Sequence, residues 1–307
     1  MTASSANRRE WRYVGGRELV SAGALAIAVL GVSSSGPLIA YAAAPALAIA
    51  FWRNALATTA LLPVAVARRR SELAAVVSSR EGWVSVLAGA ALAAHFGAWV
   101  PSVKLTTIAA STALVATQPV WQAVIARAQG RRVPLPVWVG IGLAVTGAIA
   151  ATGADVPVSG RAVAGDLLAI AGGIAGAVYT AAGERVRATI STTSYTTVCY
   201  GVCTGVLGGA CLAGGVSMTG YPATAWLAIG ALVVGPQLLG HSMFSYALRR
   251  VSATTVSVMY LLEVPAAALI GWLWLGQLPR PAAWPGLALL VAGVAVVIVA
   301  SRRSGRR

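Results

Sequence analysis

The stretch EVPAAALIGWLWLGQLPRPAAWPGLALLVAG (263–293) aligns without a gap with TQPVWQAVIARAQGRRVPLPVWVGIGLAVTG (117–147), which lies 146 positions earlier. The same offset, carried backward, superimposes the only two histidines of the chain. The matched residues include Pro119 and Pro265, Trp138 and Trp284, and His95 and His241. Because chance rarely matches Trp, Pro and His pairs together, we predict two sequence repeats, roughly 1–153 and 154–307.

The composition of the chain is that of a membrane protein. Of the 307 residues, 58% are hydrophobic and 10% are charged, whereas soluble domains carry about 25% charged residues. The apolar residues gather in ten stretches, each long enough to cross a hydrocarbon core of about 30 Å as a helix. These stretches cover approximately 19–40, 45–67, 82–101, 106–126, 135–153, 165–183, 192–214, 223–246, 253–275 and 281–300.

Each repeat contains five of these spans, and an odd number of crossings leaves the second repeat upside down relative to the first. The charges support this inversion. The paired arginines of the "RRVP" turn (131–134), which is predicted inside, are missing from its counterpart "QLPR" (277–280), which is predicted outside. The predicted fold class is therefore an all-α polytopic membrane protein with ten transmembrane helices as two inverted five-helix repeats. We expect a basic N-terminal tail (1–18), a first repeat (19–153), a second repeat (154–300) and a basic C-terminal tail (301–307).

The net charge of +15 follows the predicted membrane topology and does not indicate a nucleic-acid partner. With a cytoplasmic N-terminus, Lys104, Arg161 and Arg280 fall outside, Arg53 falls within the membrane, and all other Lys and Arg residues fall inside. This asymmetry obeys the positive-inside rule. It predicts a multi-pass protein of the cell membrane with both termini in the cytoplasm, and the basic tails are placed to contact anionic lipid.

The sequence offers no pattern for a metal site, a cofactor or a catalytic centre. Cys199 and Cys203 share a helix face in the seventh span, but no nearby His or further Cys completes a metal site. An enzyme that acts on lipid-linked substrates needs clustered acids or a His with a nearby Asp. The only aspartates, Asp155 and Asp166, lie eleven positions apart near a predicted outer loop, and no catalytic constellation can be assembled from them.

Four ionisable residues, Arg53, His95, His241 and Glu263, fall near the middle of predicted spans. Such residues are rare and are functional candidates by default. Helical spacing adds polar and aromatic neighbours, and it predicts that Gln237, His241 and Ser245 share one face of the eighth span. The candidate substrate-binding residues are Trp52, Arg53, His95, Trp99, Gln118, Gln237, His241 and Tyr260; the candidate proton-coupling residues are Glu263, His95 and His241; and Pro119 and Pro265 are predicted to kink their helices.

The two intramembrane charges each have two interpretations. Arg53 is either a fixed cation for a substrate carboxylate or phosphate, which its planar fork suits, or a structural residue that pairs with Glu263 or reaches the outer headgroups. Glu263 is either a proton-coupling carboxyl or the permanent partner of Arg53. The two histidines either relay protons and hold substrate or link packed helices by hydrogen bonds.

Three segments resemble the EamA-type drug/metabolite transporter superfamily: LLEVPAAALIGWLWLGQLPRPAAWPGLALLVAGV (261–294), ATQPVWQAVIA (116–126) and FWRNALAT (51–58). The resemblance implies a ten-helix exporter or facilitator of small metabolites in the cytoplasmic membrane, with amino acids a common substrate class. Val264 separates Glu263 from Pro265 and Gln277 replaces the usual turn glutamate, so any role of that second acid is absent. The first span also lacks an acidic residue, which disfavours export of lipophilic cations.

Inverted repeats are a transporter architecture, so the leading hypothesis is a secondary transporter of a small polar, zwitterionic or anionic solute through a central cavity. The alternatives are the lipid-linked enzyme, an exporter of drugs or quaternary cations, and a structural or channel subunit. The expected partners are a small-molecule substrate and the lipid bilayer. Gly-rich helix faces are compatible with a homodimer as well as with packing inside one chain.

Overall fold

The structure is a computed structural model that describes residues 20, 22–152, 159–275 and 281–304, and the described residues form helices and short turns with no strand. One segment, Val233–His241, winds as a π-helix. The helices are α1 (22–32), α2 (Ser35–Tyr41), α3 (Ala46–Val77), α4 (Arg80–Leu105), α5 (Ile108–Val115), α6 (Gln118–Ala128), α7 (Leu135–Thr152), α8 (Gly160–Val186), α9 (Thr192–Ala213), α10 (Ala223–Leu232), α11 (Ser242–Ala247), α12 (Ala253–Tyr260), α13 (Glu263–Leu275) and α14 (Ala283–Ser304). The predicted tail 1–18, Asp155, the "QLPR" turn and residues 305–307 lie outside the described residues.

Eight helical segments of the described chain are long and apolar enough to cross a membrane. They are Ala22–Tyr41, Ala46–Val76, Arg80–Leu105, Ile108–Ala128, Gly160–Val186, Thr192–Ala213, Ala223–Ala247 and Ala283–Ser301, and two shorter apolar helices cover Leu135–Ala151 and Ala253–Ala266. Large apolar side chains face outward on these helices, with Leu135, Leu212 and Leu227 each at least 74% exposed. Lipid tails are the solvent that such a surface requires, so the chain is a multi-pass membrane protein.

Two of the predicted spans are interrupted near their prolines. Residues 116–117 separate α5 from α6, and residues 261–262 separate α12 from α13. A proline lacks the N–H of a helical hydrogen bond, and its ring crowds the carbonyl four residues earlier. For Pro119 and Pro265 that carbonyl belongs to Val115, the last residue of α5, and to Leu261, the residue that follows α12.

Helices α7 and α14 cross in antiparallel directions through glycines that allow close backbone contact. A Cβ on Gly140 would lie 2.9 Å from the carbonyl oxygen of Gly293, and a Cβ on Gly147 would lie 2.7 Å from that of Gly286. The later glycine of α7 therefore faces the earlier glycine of α14. The four residues are the two glycine pairs that the sequence alignment matches, Gly140 with Gly286 and Gly147 with Gly293.

The π-helix corrects the predicted face of the eighth span. A π-helix holds more residues in each turn than an α-helix, so residues four apart no longer lie one above the other. Gln237 points toward α3, where it bonds Arg53, whereas His241 points toward Tyr260 of α12. Ser245 contacts a third partner, Tyr179 of α8. His241 and Ser245 thus share Tyr179 as a neighbour, whereas Gln237 faces α3.

A buried arginine, Arg187, holds the turn between α8 and α9. The sequence alone predicts only a charged residue in a cytoplasmic loop at this position. Arg187 is 2% exposed and donates hydrogen bonds to the carbonyl oxygens of Ser245 and Ile190 and to the hydroxyl of Thr192. Burial lowers the pKa of Arg187 to about 10. Beside this turn, the carboxylate of Glu72 accepts the backbone N–H of Ser191 at 2.6 Å and caps the start of α9.

Candidate functional site

A small cavity lies where the two interrupted spans meet α4, α8 and the π-helix. Its volume is about 40 Å³, which is enough for water-sized groups and too small for a whole metabolite. The cavity is lined by the predicted residues His95, Trp99, Gln118, Pro119, His241, Tyr260 and Glu263, together with Val32, Ser35, Val115, Ala116, Gly176, Tyr179, Thr180, Ser257 and Leu261.

The two histidines both line this cavity and lie edge-on to each other, with ring centroids 6.1 Å apart. His95 is fixed by a hydrogen bond of 2.8 Å between Nδ1 and the carbonyl oxygen of Gly172, and its ring stacks on Trp99 at 5.9 Å. Nδ1 of His241 lies 3.2 Å from the hydroxyl of Tyr260. Both imidazoles are therefore held in place by neighbouring helices.

Gln118 begins α6 directly after the break, and its amide is oriented by α8. Its Nε2 donates to the hydroxyl of Thr180 at 3.2 Å, and that hydroxyl donates to the carbonyl oxygen of Gly176 at 2.8 Å. A Cβ on Gly176 would lie 3.0 Å from both Gln118 Oε1 and His95 Nδ1. The glycine thus allows the amide and the imidazole to approach the backbone of α8.

Arg53 is completely buried in α3, but it lies behind the wall of the cavity. Its Nε donates to Gln237 Oε1 at 2.9 Å, and Gln237 Nε2 donates to Asn54 Oδ1 at 3.0 Å. The guanidinium carbon lies 4.1 Å from the ring centre of Phe96, and that ring contacts His241 at 5.2 Å. Phe96 therefore stands between Arg53 and the cavity.

Both terminal nitrogens of Arg53, Nη1 and Nη2, are buried without a hydrogen-bond partner among the described residues. The predicted alternative of an ion pair with Glu263 is not seen in this part of the chain, where the ion pairs are Arg69 with Glu72 and Arg131 with Glu184. Buried donors in native proteins are almost always paired. The unpaired guanidinium edge of Arg53 is therefore a candidate binding site for an anionic group.

Trp52 lies away from the other predicted site residues. Its indole nitrogen donates to the carbonyl oxygen of Met218 at 2.8 Å, and its ring packs edge-on against Trp226 at 5.1 Å. The side chain ties α3 to the turn after α9 and to α10. The geometry gives Trp52 a structural contact and brings it to neither the cavity nor Arg53.

Several residues that shape the site were not predicted from the sequence. Tyr179 and Thr180 line the cavity, and Tyr179 bonds Ser245 at 3.0 Å. Two adjacent hydroxyl groups inside an apolar span were a usable signal for these residues. Asn54 also stood beside Arg53 in the sequence. Phe96 carried no signal, because an aromatic residue in a membrane span is ordinary.

Comparison with known proteins adds family and fold information. A model of the EamA-like transporter family matches residues 19–153 and 163–299. A protein of Streptantibioticus cattleyicolor named "Probable terminal-alkyne amino-acid exporter" is 35% identical over 72 residues, which make up 24% of this chain and 24% of that protein. A solved structure described only as the crystal structure of a protein has a TM-score of 0.76 with 20% sequence identity, covering 92% of this chain and 98% of its own. At that identity the likeness concerns the fold.

Proposed function

The chain belongs to the EamA-like transporter family, and we propose that it is a secondary transporter that exports a small polar metabolite, such as an amino acid or a related zwitterionic or anionic solute. Family membership indicates a membrane transporter rather than an enzyme. The proposed mechanism is alternating access, in which the cavity near the middle of the membrane opens to one side and then to the other.

The proposed architecture is ten transmembrane helices in two inverted five-helix repeats, 19–153 and 154–300. The antiparallel α7–α14 crossing supports it, because Gly140 contacts Gly293 while their alignment partners Gly286 and Gly147 contact each other. Such reciprocal contacts are those of a two-fold relation. His95 and His241, which the sequence alignment also pairs, lie close together, with ring centroids 6.1 Å apart.

The proposed location is the cell membrane, with both termini in the cytoplasm. The distribution of Lys and Arg along the sequence supports this orientation. Proton coupling is part of the proposal, with Glu263, His95 and His241 as proton carriers, because all three line the same cavity.

The observation that carries the substrate class is the unpaired edge of Arg53. Two parallel N–H groups of a guanidinium match the two oxygens of a carboxylate, and both nitrogens are buried and unpartnered among the described residues. A substrate carboxylate therefore completes the site once Phe96 moves aside. The amino-acid exporter named among the relatives supports the same class, although that match covers about a quarter of the chain.

Counterflow of amino acids and organic anions into proteoliposomes tests this function. Arg53→Lys replaces the planar fork by a point charge, and we expect uptake to fall by about tenfold or more. The matched control is Arg68→Lys, since Arg68 is an exposed arginine on the same helix. Uptake that is equal in the wild type, Arg53→Lys and Arg53→Ala, with normal folded yield, would remove Arg53 from the substrate site.

A further inference from the structure

The wall of the cavity carries one charged side chain among the described residues, the carboxylate of Glu263. No hydrogen bond or ion pair joins Glu263 to another side chain in the described part of the chain. A carboxylate removed from water is costly unless a cation or hydrogen-bond donors reach it. The nearest predicted cation, Arg53, lies outside the lining. A cation or hydrogen-bond donor that enters the cavity would supply Glu263 with a partner.

The amide of Gln118 presents an acceptor to this cavity. Its orientation follows from a chain of hydrogen bonds, because the single proton of the Thr180 hydroxyl is donated to the carbonyl oxygen of Gly176. Thr180 can then only accept from Gln118, so the amide must turn its NH₂ group toward Thr180. Oε1 of Gln118 is left as a free acceptor on a residue that lines the cavity.

The ring of His95 offers a second acceptor by the same reasoning. The carbonyl oxygen of Gly172 can only accept, so Nδ1 of His95 carries the proton of their 2.8 Å hydrogen bond. In the neutral ring Nε2 is then a lone pair. Together with Glu263, three side chains that carry a free acceptor line the cavity, and they come from three different helices, α4, α6 and α13.

Three aromatic side chains, Trp99, Tyr179 and Tyr260, also line the cavity. The volume of about 40 Å³ admits a group the size of one or two water molecules. An ammonium group has this size, carries a positive charge and donates three hydrogen bonds, one for each of the acceptors.

We infer that the cavity is a subsite for a primary ammonium group, held by the carboxylate of Glu263, Oε1 of Gln118 and Nε2 of His95. The inference rests on the proposed function, in which the solute carries a carboxylate for Arg53, and it narrows the substrate to compounds with a primary amine. A quaternary cation has no N–H to donate to these acceptors, so the subsite selects against it.

Binding of three simple probes to the purified full-length protein tests the subsite: butylammonium, tetraethylammonium and butyrate, measured by calorimetry in lipid nanodiscs. We expect saturable binding of butylammonium, and binding at least about tenfold weaker for tetraethylammonium and butyrate. Glu263→Gln and Gln118→Leu each remove one acceptor and should weaken butylammonium binding by about tenfold. Glu81→Gln, a glutamate outside the cavity lining, is the matched control and should leave binding unchanged.

Equal binding of tetraethylammonium and butylammonium would overturn the inference, as would butylammonium binding that survives both Glu263→Gln and Gln118→Leu. If Glu263→Gln fails to fold, Gln118→Leu and Glu263→Asp decide the outcome. We expect Glu263→Asp, which keeps a carboxylate, to bind butylammonium more tightly than Gln118→Leu. The two proposals fail separately. If amino acids undergo counterflow but butylammonium does not bind, the transport proposal stands and the subsite proposal fails. If butylammonium binds but no carboxylate is transported, the subsite proposal stands and the transport proposal fails.

Discussion

Gly147→Ala tests the antiparallel crossing of α7 and α14, on which the inverted-repeat proposal depends. A Cβ at this position would lie 2.3 Å from the backbone nitrogen of Leu290 and 2.7 Å from the carbonyl oxygen of Gly286. Both contacts are with backbone, which cannot rotate away as a side chain can. The two helices must therefore move apart, and we expect a clear loss of stability.

The size of the loss follows from the distance. Ordinary contact begins near 3.4 Å, so the contact with Leu290 demands a separation of about 1.1 Å. A gap of 0.5–1 Å forfeits about a quarter to a half of each dispersion contact. For on the order of 50 atom contacts of about 0.1–0.2 kcal/mol each, the loss is roughly 1–5 kcal/mol. We take about 2–3 kcal/mol, which corresponds to a Tm decrease of roughly 4–12 °C.

The assay is thermal unfolding of the detergent-purified protein, followed by the tryptophan fluorescence. Gly142→Ala on the same helix is the matched control, because a Cβ there meets nothing within 4 Å. Alanine in a helix is favoured over glycine by about 0.5–1 kcal/mol, so the control should match or exceed the wild type. A Gly147→Ala variant as stable as Gly142→Ala would refute the close crossing and weaken the two-fold relation built on it.

Two further experiments address topology and the α8–α9 turn. Ser217→Cys, in the turn after α9, should react with a membrane-impermeant maleimide in intact cells, whereas Ser78→Cys should react only after permeabilisation. The native cysteines are buried and should not contribute to the labelling. The opposite labelling pattern would invert the proposed orientation. Arg187→Ala should lower the free energy of unfolding by about 2–4 kcal/mol, because it leaves the carbonyl oxygens of Ser245 and Ile190 without their donor, and a Tm within 1–2 °C of the wild type would contradict this role.

Most of the helical architecture could be predicted from the sequence because lipid imposes a simple rule. A backbone in hydrocarbon must satisfy its own hydrogen bonds, so a long apolar stretch is a helix. The interruptions at 116–117 and 261–262 lie in the turn before Pro119 and Pro265, where a proline removes a helical hydrogen bond. The π-helix over Val233–His241 could not be predicted in the same way. Pro236 lies inside it, but proline alone does not decide between a kink, a break and a wider turn.

The site was predictable to the level of residue types and not to the level of contacts. Intramembrane His95, His241 and Glu263 were selected because burying such groups is costly, and they line one cavity. Whether Arg53 reaches that cavity depends on which side chain lies between them. Phe96 occupies this place, and apolar packing of this kind leaves no pattern in a single sequence. Trp52 was predicted to bind substrate, but its side chain points in a different direction from that of Arg53, because successive residues of a helix do not share a face, and it bonds Met218 and packs on Trp226.

The separation of Arg53 from Glu263 indicates what kind of solute the two residues serve. Two buried charges of opposite sign would ordinarily offset each other's desolvation by pairing, yet the described residues contain no ion pair between them. Phe96 and His241 stand on the path from Arg53 to the cavity. An anion satisfies Arg53 alone, and a cation satisfies Glu263 alone. Under the proposed function, a zwitterion would supply a carboxylate to Arg53 and an ammonium group to Glu263, so an amino acid would gain both interactions in a single binding event. Transport should therefore fall when either group of the amino acid is blocked, by N-acetylation or by esterification, and fall further when both are.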